Sequence, residues 1–137
     1  MTDGPVVIVN DDEDDRAILE EAWKDLGFPN QLIFFTKGED VLQHLRSESS
    51  PPFLVLCDVN IPRMDGFELK EKILNDSSIN YKSIPFVYWS DEVSKSQIEK
   101  AYDLGGNGFF VKGNTFERIK KSLSSIVEYW SKSIVPE

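Results

Sequence analysis

The 137-residue chain has a single cysteine, Cys57, and a single histidine, His44. One cysteine closes no internal disulfide and builds no thiolate metal cluster. Its place inside the apolar run FLVLC suits a small buried hydrophobe, the commonest setting for a free thiol. The histidine sits among Val41, Leu42 and Leu45, and is expected on the exposed side of a helix, a poor position for a phosphodonor. Basic residues are scarce: 15 Lys and Arg stand against 24 Asp and Glu, a formal net charge of −9. That deficit excludes nucleic acid or an anionic membrane as the main partner, since both require a basic face. No apolar run approaches the roughly 20 residues of a membrane span, and MTDGP lacks the basic segment and apolar core of a signal peptide. A cytoplasmic protein is expected. There is no fixed-period repeat, low-complexity tract or long linker, so residues 1–137 read as one domain, with a core of about 5–128 and a tail at 129–137.

What is present is an alternation. VVIV (6–9), QLIFF (31–35), FLVLC (53–57), PFVYW (85–89) and GFFV (108–111) are short apolar runs, each followed by a segment with helical periodicity. RAILEEAWKDLG places Ile18, Leu19, Ala22, Trp23 and Leu26 on one face, with Gly27 to close the helix. EDVLQHLRS, FELKEKIL, SKSQIEKAYDLGG and NTFERIKKSLSSIVEYW follow the other four runs. The last carries a long stripe of Phe116, Ile119, Leu123, Ile126 and Trp130, and its helix is expected to end near Ser131. Strands apolar throughout are buried on both faces and therefore parallel, and five such units give a doubly wound α/β sheet with helices on both sides.

Ligands of such sheets bind outside the carboxyl ends of the strands. The first strand runs into Asn10, Asp11 and Asp12, the third into Asp58 and Asn60, the fourth into Ser90 and the fifth into Lys112. Each residue has a bland reading. Asp12 or Asp14 would cap the first helix, Ser90 could cap the fourth, and Lys112 could be a surface lysine snorkelling off a strand end. The run DDEDD could be a solvated face. Together the bland readings weaken, because one sheet edge receives acids, a hydroxyl and an amine. Two carboxylates held close repel unless one is protonated or a cation lies between them. An all-oxygen set of two carboxylates, a carbonyl and waters suits Mg²⁺. With Lys112 and Ser90, that set matches the oxygens of a phosphoryl group in transfer, and one carboxylate would be the nucleophile of an acyl phosphate.

IVNDDEDD after the first strand, LVLCDVNIPRMDGFEL around the third, WS at the end of the fourth and GNGFFVK at the fifth together resemble the receiver domains of two-component response regulators. The resemblance covers nearly the whole chain and rests on four motifs in order. It implies the flavodoxin-like, CheY-like (βα)5 fold with strand order 2-1-3-4-5. Asp58 then corresponds to the phosphoacceptor, Lys112 to the lysine that pairs with the phosphoryl group, Ser90 to the switch hydroxyl and Phe109 to the switch aromatic; Phe109 would otherwise be plain core. Asn60 would offer its backbone carbonyl to Mg²⁺. The family's spacing from its second acid to the glycine ending the first helix is matched from Asp11 to Gly27. The acidic pair therefore falls on Asn10 and Asp11, with Asp11 a direct ligand, Asn10 acting through water and Asp12 giving electrostatic support. CDVNIP and the tail EYWSKSIVPE resemble more narrowly the stand-alone receivers that partner bacterial phytochrome kinases.

There are three departures. Asn10 replaces a usual acid, Asp91 follows Ser90 where a small residue is usual, and Gly113 follows Lys112 where the family has a cis proline. Without proline the cis form costs about 3 kcal/mol, so a trans bond is expected there. The resemblance implies a non-enzymatic response regulator that takes a phosphoryl group from a histidine kinase and changes its affinity for a downstream protein. Phosphorylation would draw Ser90 and Lys112 inward and let Phe109 fill the vacated space, altering the face formed by the fourth helix, fifth strand and fifth helix. No output domain is expected, so the output would be a partner protein, a further phosphorelay step or self-association. A degenerate receiver that binds partners without phosphate is the alternative. A hydrolase using an aspartyl phosphate is disfavoured by Asn60, where it would place a second acid. A flavodoxin is disfavoured by NDDEDD, which would repel a phosphate. Tyr129 and Trp130 are expected to pack in a homodimer contact, since aromatic residues are enriched in interface cores, with a local cap over the sheet's edge as the alternative.

Overall fold

The structure is a computed structural model that describes residues 4–47, 51–80, 83–91 and 94–133. Its elements are β1 (Val6–Val9), α1 (Glu13–Leu26), β2 (Leu32–Phe35), α2 (Gly38–Ser47), β3 (Leu54–Cys57), α3 (Gly66–Asn75), β4 (Phe86–Ser90), α4 (Lys95–Asp103), β5 (Phe109–Val111) and α5 (Phe116–Lys132). The five strands are all parallel and lie in the order β2-β1-β3-β4-β5, as expected. Chain order reverses at β1, so β1 and β3 end side by side, the place where a doubly wound sheet leaves a crevice.

The apolar runs are strands because they are covered on both faces. On one side Val7, Val9, Val55, Cys57 and Tyr88 pack with α2, α3 and Ala101 of α4. On the other, Ile8, Leu54, Leu56, Val87 and Trp89 pack with Leu19, Ala22 and Trp23 of α1 and Leu123, Ile126 and Val127 of α5. Every residue of β1, β3 and β4 is buried. The two edge strands depart from that pattern: β2 is half-buried throughout, and Val111 of β5 is 51% exposed. An edge strand has a neighbour on one side only, so its apolar sequence overstates its burial.

Side-chain caps set the helix boundaries. Asp12 accepts from the Asp14 N–H to start α1, three residues ahead of the apolar segment, and Gly27 closes it at φ 74°. Left-handed φ is inexpensive only for glycine, which is why the helix stops there. Ser94, not Ser90, caps α4, in a reciprocal capping box with Gln97. Asp65 and Thr115 cap α3 and α5.

One expectation is corrected. His44 is half-buried, its ring 5.3 Å from that of Phe35, so it packs against β2 and does not lie on an exposed face. The fifth helix ends at Lys132, within a residue of the expected end, and so includes Tyr129 and Trp130. Trp130 packs against the α1/α5 side of the core, while Tyr129 stays 63% exposed. Residues 134–137 of the tail lie outside the described residues.

Candidate active site

Four strand ends converge. The Asp58 N–H donates to Val9 O at 3.0 Å, which locks the end of β3 to that of β1. The Asn60 N–H then donates back to Asp58 Oδ1 at 3.1 Å and fixes the carboxylate's rotamer. Gly66 makes this turn possible: a Cβ there would stand 2.8 Å from Asp58 O and 3.3 Å from Cys57 Sγ. The same loop holds Arg63 at φ 67°, left-handed backbone that a non-glycine residue rarely adopts.

Three groups meet on the Asp58 carboxylate. Ser90 Oγ donates to Oδ1 at 3.1 Å, and Lys112 Nζ lies 3.0 Å from Oδ2. Ser90 is 2% exposed, and the Lys112 side chain 4%. The Lys112 N–H bonds to Ser90 O at 3.0 Å, so the backbone itself aligns the two donors. Lys112 Nζ also lies 5.7 Å from the centroid of the Trp89 ring, which gives the ammonium a favourable face where water is thin. The bland readings of Ser90 and Lys112 are thereby displaced: neither is a cap or a snorkelling surface lysine. Both groups touch Asp58 directly.

The acidic strand end divides its work. Asp11 is exposed at the mouth, and Asp12 caps α1. Asn10 is 7% exposed with both ends of its amide committed: Oδ1 accepts from the Asp12 N–H at 3.0 Å, and Nδ2 donates to Asp15 Oδ2 at 3.2 Å. Asp15 was not among the residues expected here. Its Oδ2 is 3.5 Å from Lys112 Nζ, closing a chain from Asn10 through Asp15 and Lys112 to Asp58. No signal in the sequence singled out Asp15: α1 begins at Glu13, three residues ahead of the apolar periodicity, and so places Asp15 in its first turn.

Asn10, Asp11, Asp12, Asp15, Asp58, Asn60, Ser90 and Asp91 line one open cleft of about 420 Å³. Thr36, after the edge strand β2, does not line it. A wider groove of about 970 Å³ between α2 and α3 is lined by Glu39, Asp40, Glu68, Glu71 and other residues remote from this chemistry. Among the described residues no group of three or more His, Cys, Asp or Glu side chains is gathered closely enough to hold a metal by itself. Two carboxylates, Asp11 and Asp58, with the Asn60 carbonyl and waters fit a divalent cation that keeps part of its hydration, as Mg²⁺ does.

Around the site, burial pushes the Cys57 thiol well up, reinforced by the Asp58 and Asp65 charges, so Cys57 is an inert neighbour whose Sγ donates to Asp58 O at 3.2 Å. Phe109 is half-buried, its ring 5.8 Å from that of Tyr88. No cis peptide bond is present among the described residues, so Lys112–Gly113 is trans, as expected, and Gly113 takes φ 95°.

Comparison with known proteins agrees with this geometry. Residues 6–124 match the family model described as the response regulator receiver domain. The chain is 32% identical over 124 residues to the chemotaxis protein CheY-3 of Vibrio cholerae serotype O1, covering 90% of this chain and 91% of that one. The crystal structure of the phosphorylated cyanobacterial phytochrome response regulator RcpA superposes with a TM-score of 0.85 at 26% identity, covering 98% of this chain and 99% of the other. The Mn(2+)-bound form of response regulator Rcp1 shares the fold, with a TM-score of 0.82 at 23% identity and coverage of 98% and 99%. A doubly wound sheet whose strand ends bring an aspartate, a serine and a lysine together, with a receiver match over nearly its whole length, belongs to the response regulator receiver domain family.

Proposed function

We propose that this receiver accepts a phosphoryl group on Asp58 from a phosphohistidine of a histidine kinase. The observation that carries the reading is the Asp58 carboxylate held by Ser90 Oγ and Lys112 Nζ, two buried donors from the ends of two other strands. An Asp58 oxygen attacks phosphorus, the P–N bond breaks, and the imidazole leaves and takes up a proton. Lys112 and Ser90 then bind oxygens of the transferred group, where fixed donors in a poorly hydrated cleft stabilise developing charge. Asp11, Asp58 and the Asn60 carbonyl would hold Mg²⁺, which would supply charge neutralisation at the phosphoryl oxygens. The set acts on its own acyl phosphate, so the only chemistry is self-catalysed acceptance and loss of the group.

Phe109 lies against Tyr88 one strand from Ser90, so repacking at this aromatic pair is the route by which the phosphoryl group reaches the α4–β5–α5 face. The likeness to phytochrome response regulators supports a phytochrome-type kinase as partner. The acidic surface and the lack, among the described residues, of any helix able to cross a membrane support action in the cytoplasm. Exposed Tyr129 beside Trp130 supports a homodimer contact at the end of α5. The test is intact mass after incubation with acetyl phosphate, with and without Mg²⁺. One phosphoryl gain that requires Mg²⁺ and is lost in Asp58→Asn supports the proposal. No gain from acetyl phosphate or from a phosphorylated kinase leaves the phosphate-independent binding module as the better reading.

A further inference from the structure

We infer that Asp15 is a positioning residue for Lys112, and that Asn10 and Asp15 work as one unit in place of the acid missing at position 10. The inference rests on the phosphoacceptor reading of Asp58. In the structure Asp58 Oδ1 already takes two hydrogen bonds, from Ser90 and Asn60, and Oδ2 takes the Lys112 ion pair. For Asp58 to act as nucleophile, Lys112 must loosen its hold on Oδ2. An ammonium on a side chain only 4% exposed does not separate from its partner at low cost unless another anion is at hand. Asp15 Oδ2, 3.5 Å from Nζ, is that anion.

Asp15 is itself held in place. Asn10 Nδ2 donates to the same Oδ2 at 3.2 Å, and the Asn10 side chain is anchored by the Asp12 N–H. The amide at position 10 supplies the proton for that bond. A carboxylate there has no proton to give and would repel Asp15, turning it away from Lys112. The amide at 10 and the acid at 15 are therefore mutually dependent, and the departure at Asn10 is not a loss of function in the acidic strand end. Asp15 holds no reacting atom; it gives Lys112 a second partner across the cleft from Asp58.

The test is a double-mutant cycle on the full chain with Asp15→Asn, Asn10→Asp and the double variant Asn10→Asp/Asp15→Asn. Two readouts are taken: the Lys112 Cε–Hε NMR signal in metal-free protein, and the rate of phosphoryl gain from acetyl phosphate at saturating Mg²⁺. Asp15→Asn is expected to shift the Lys112 signal and slow phosphoryl gain about tenfold, less than loss of a group that touches the reacting atoms. Asn10→Asp alone is expected to slow it as well, although it restores the family's usual acid. The double variant is expected to recover to within about threefold of wild type, the non-additivity of coupled neighbours. The inference is overturned if Asp15→Asn leaves the Lys112 signal and the rate at wild-type values, or if the double variant is as slow as the product of the two singles. Should the wild-type protein gain no phosphoryl group at all, the reading of Asp58 fails, and the metal-free Lys112 signal alone still decides the role of Asp15.

Discussion

Lys112 Nζ lies 3.0 Å from Asp58 Oδ2 although the two residues leave strands that are not neighbours. The lysine follows β5, reaches past the end of β4 over the Trp89 ring, and meets the carboxylate that follows β3. Cys57 pairs with Tyr88 and Ser90 with Val111, so β4 and β5 extend past the end of β3, where Lys112 meets the carboxylate. The ion pair thus reports on the fold and on the chemistry at once.

Removing the lysine strands two acids. Lys112→Met leaves Asp58 and Asp15 without their shared cation, and is expected to lower the stability of metal-free protein by about 2 kcal/mol. Mg²⁺ then becomes the main positive charge in the cleft, so it should raise the melting temperature of the variant more than that of wild type. Thermal unfolding with and without Mg²⁺ checks both statements. A variant as stable as wild type without metal would show that the pair contributes nothing net.

Restoring the family's proline after the lysine is expected to harm this protein. Gly113 sits at φ 95°, which proline cannot adopt, and a Cβ there would stand 2.6 Å from Arg118 Cβ. Gly113→Pro should destabilise by roughly 2 kcal/mol or more, by the cost of forcing φ and the contact together. Chemical denaturation would reveal it as a lowered midpoint. A raised midpoint would mean that the turn accepts another path.

Tyr88 presents the opposite case, a group whose removal should help. The ring is fully buried among Phe67, Phe86 and Phe109, and its hydroxyl meets no hydrogen-bond partner among the described residues. Burial, with Cys57 and Asp65 nearby, pushes the phenol up and keeps it neutral. Tyr88→Phe deletes an unsatisfied polar atom and keeps the ring, so stability should rise by about 1 kcal/mol. A loss of stability in the denaturation curve would indicate a partner for the hydroxyl.

The link between α2 and α3 carries a pH signature. Asp76 accepts from Ser78 Oγ and N–H and pairs with Arg46 Nε at 2.7 Å, and these bonds, Ser78 first, hold its carboxyl down to about 2. A carboxyl depressed in the folded state stabilises above its unfolded value near 3.9, and that contribution is lost as pH falls toward 2. Asp76→Asn should therefore melt below wild type at pH 6, with the difference closing between about pH 4 and pH 2. A gap that is constant with pH would remove the carboxylate from the account.

The fold was largely legible because its signals are local. Apolar runs such as VVIV and FLVLC report burial on two faces, and the Asp12 cap sits where the first helix begins. The edge strands were less legible, since sequence cannot show on which side a strand has a neighbour. At the site, Asp58, Ser90 and Lys112 could be read from strand ends alone. Asp15 could not, because it enters from the first turn of α1, inside an acidic run that reads equally well as a solvated face. His44 was misjudged for a related reason: helical periodicity gives its side of the helix, but not that Phe35 of β2 lies beneath it.

The central claim is that Asp58 carries the phosphoryl group. Its most direct test is borohydride reduction of the protein after reaction with acetyl phosphate and Mg²⁺, followed by peptide mapping. Reduction converts an acyl phosphate of aspartate to homoserine and leaves free carboxylates untouched. The account predicts homoserine at position 58, with Asp11, Asp12 and Asp15 unchanged and no conversion in the absence of Mg²⁺. Homoserine at another acid, or phosphoryl gain that persists in Asp58→Asn with wild-type yield, would contradict it.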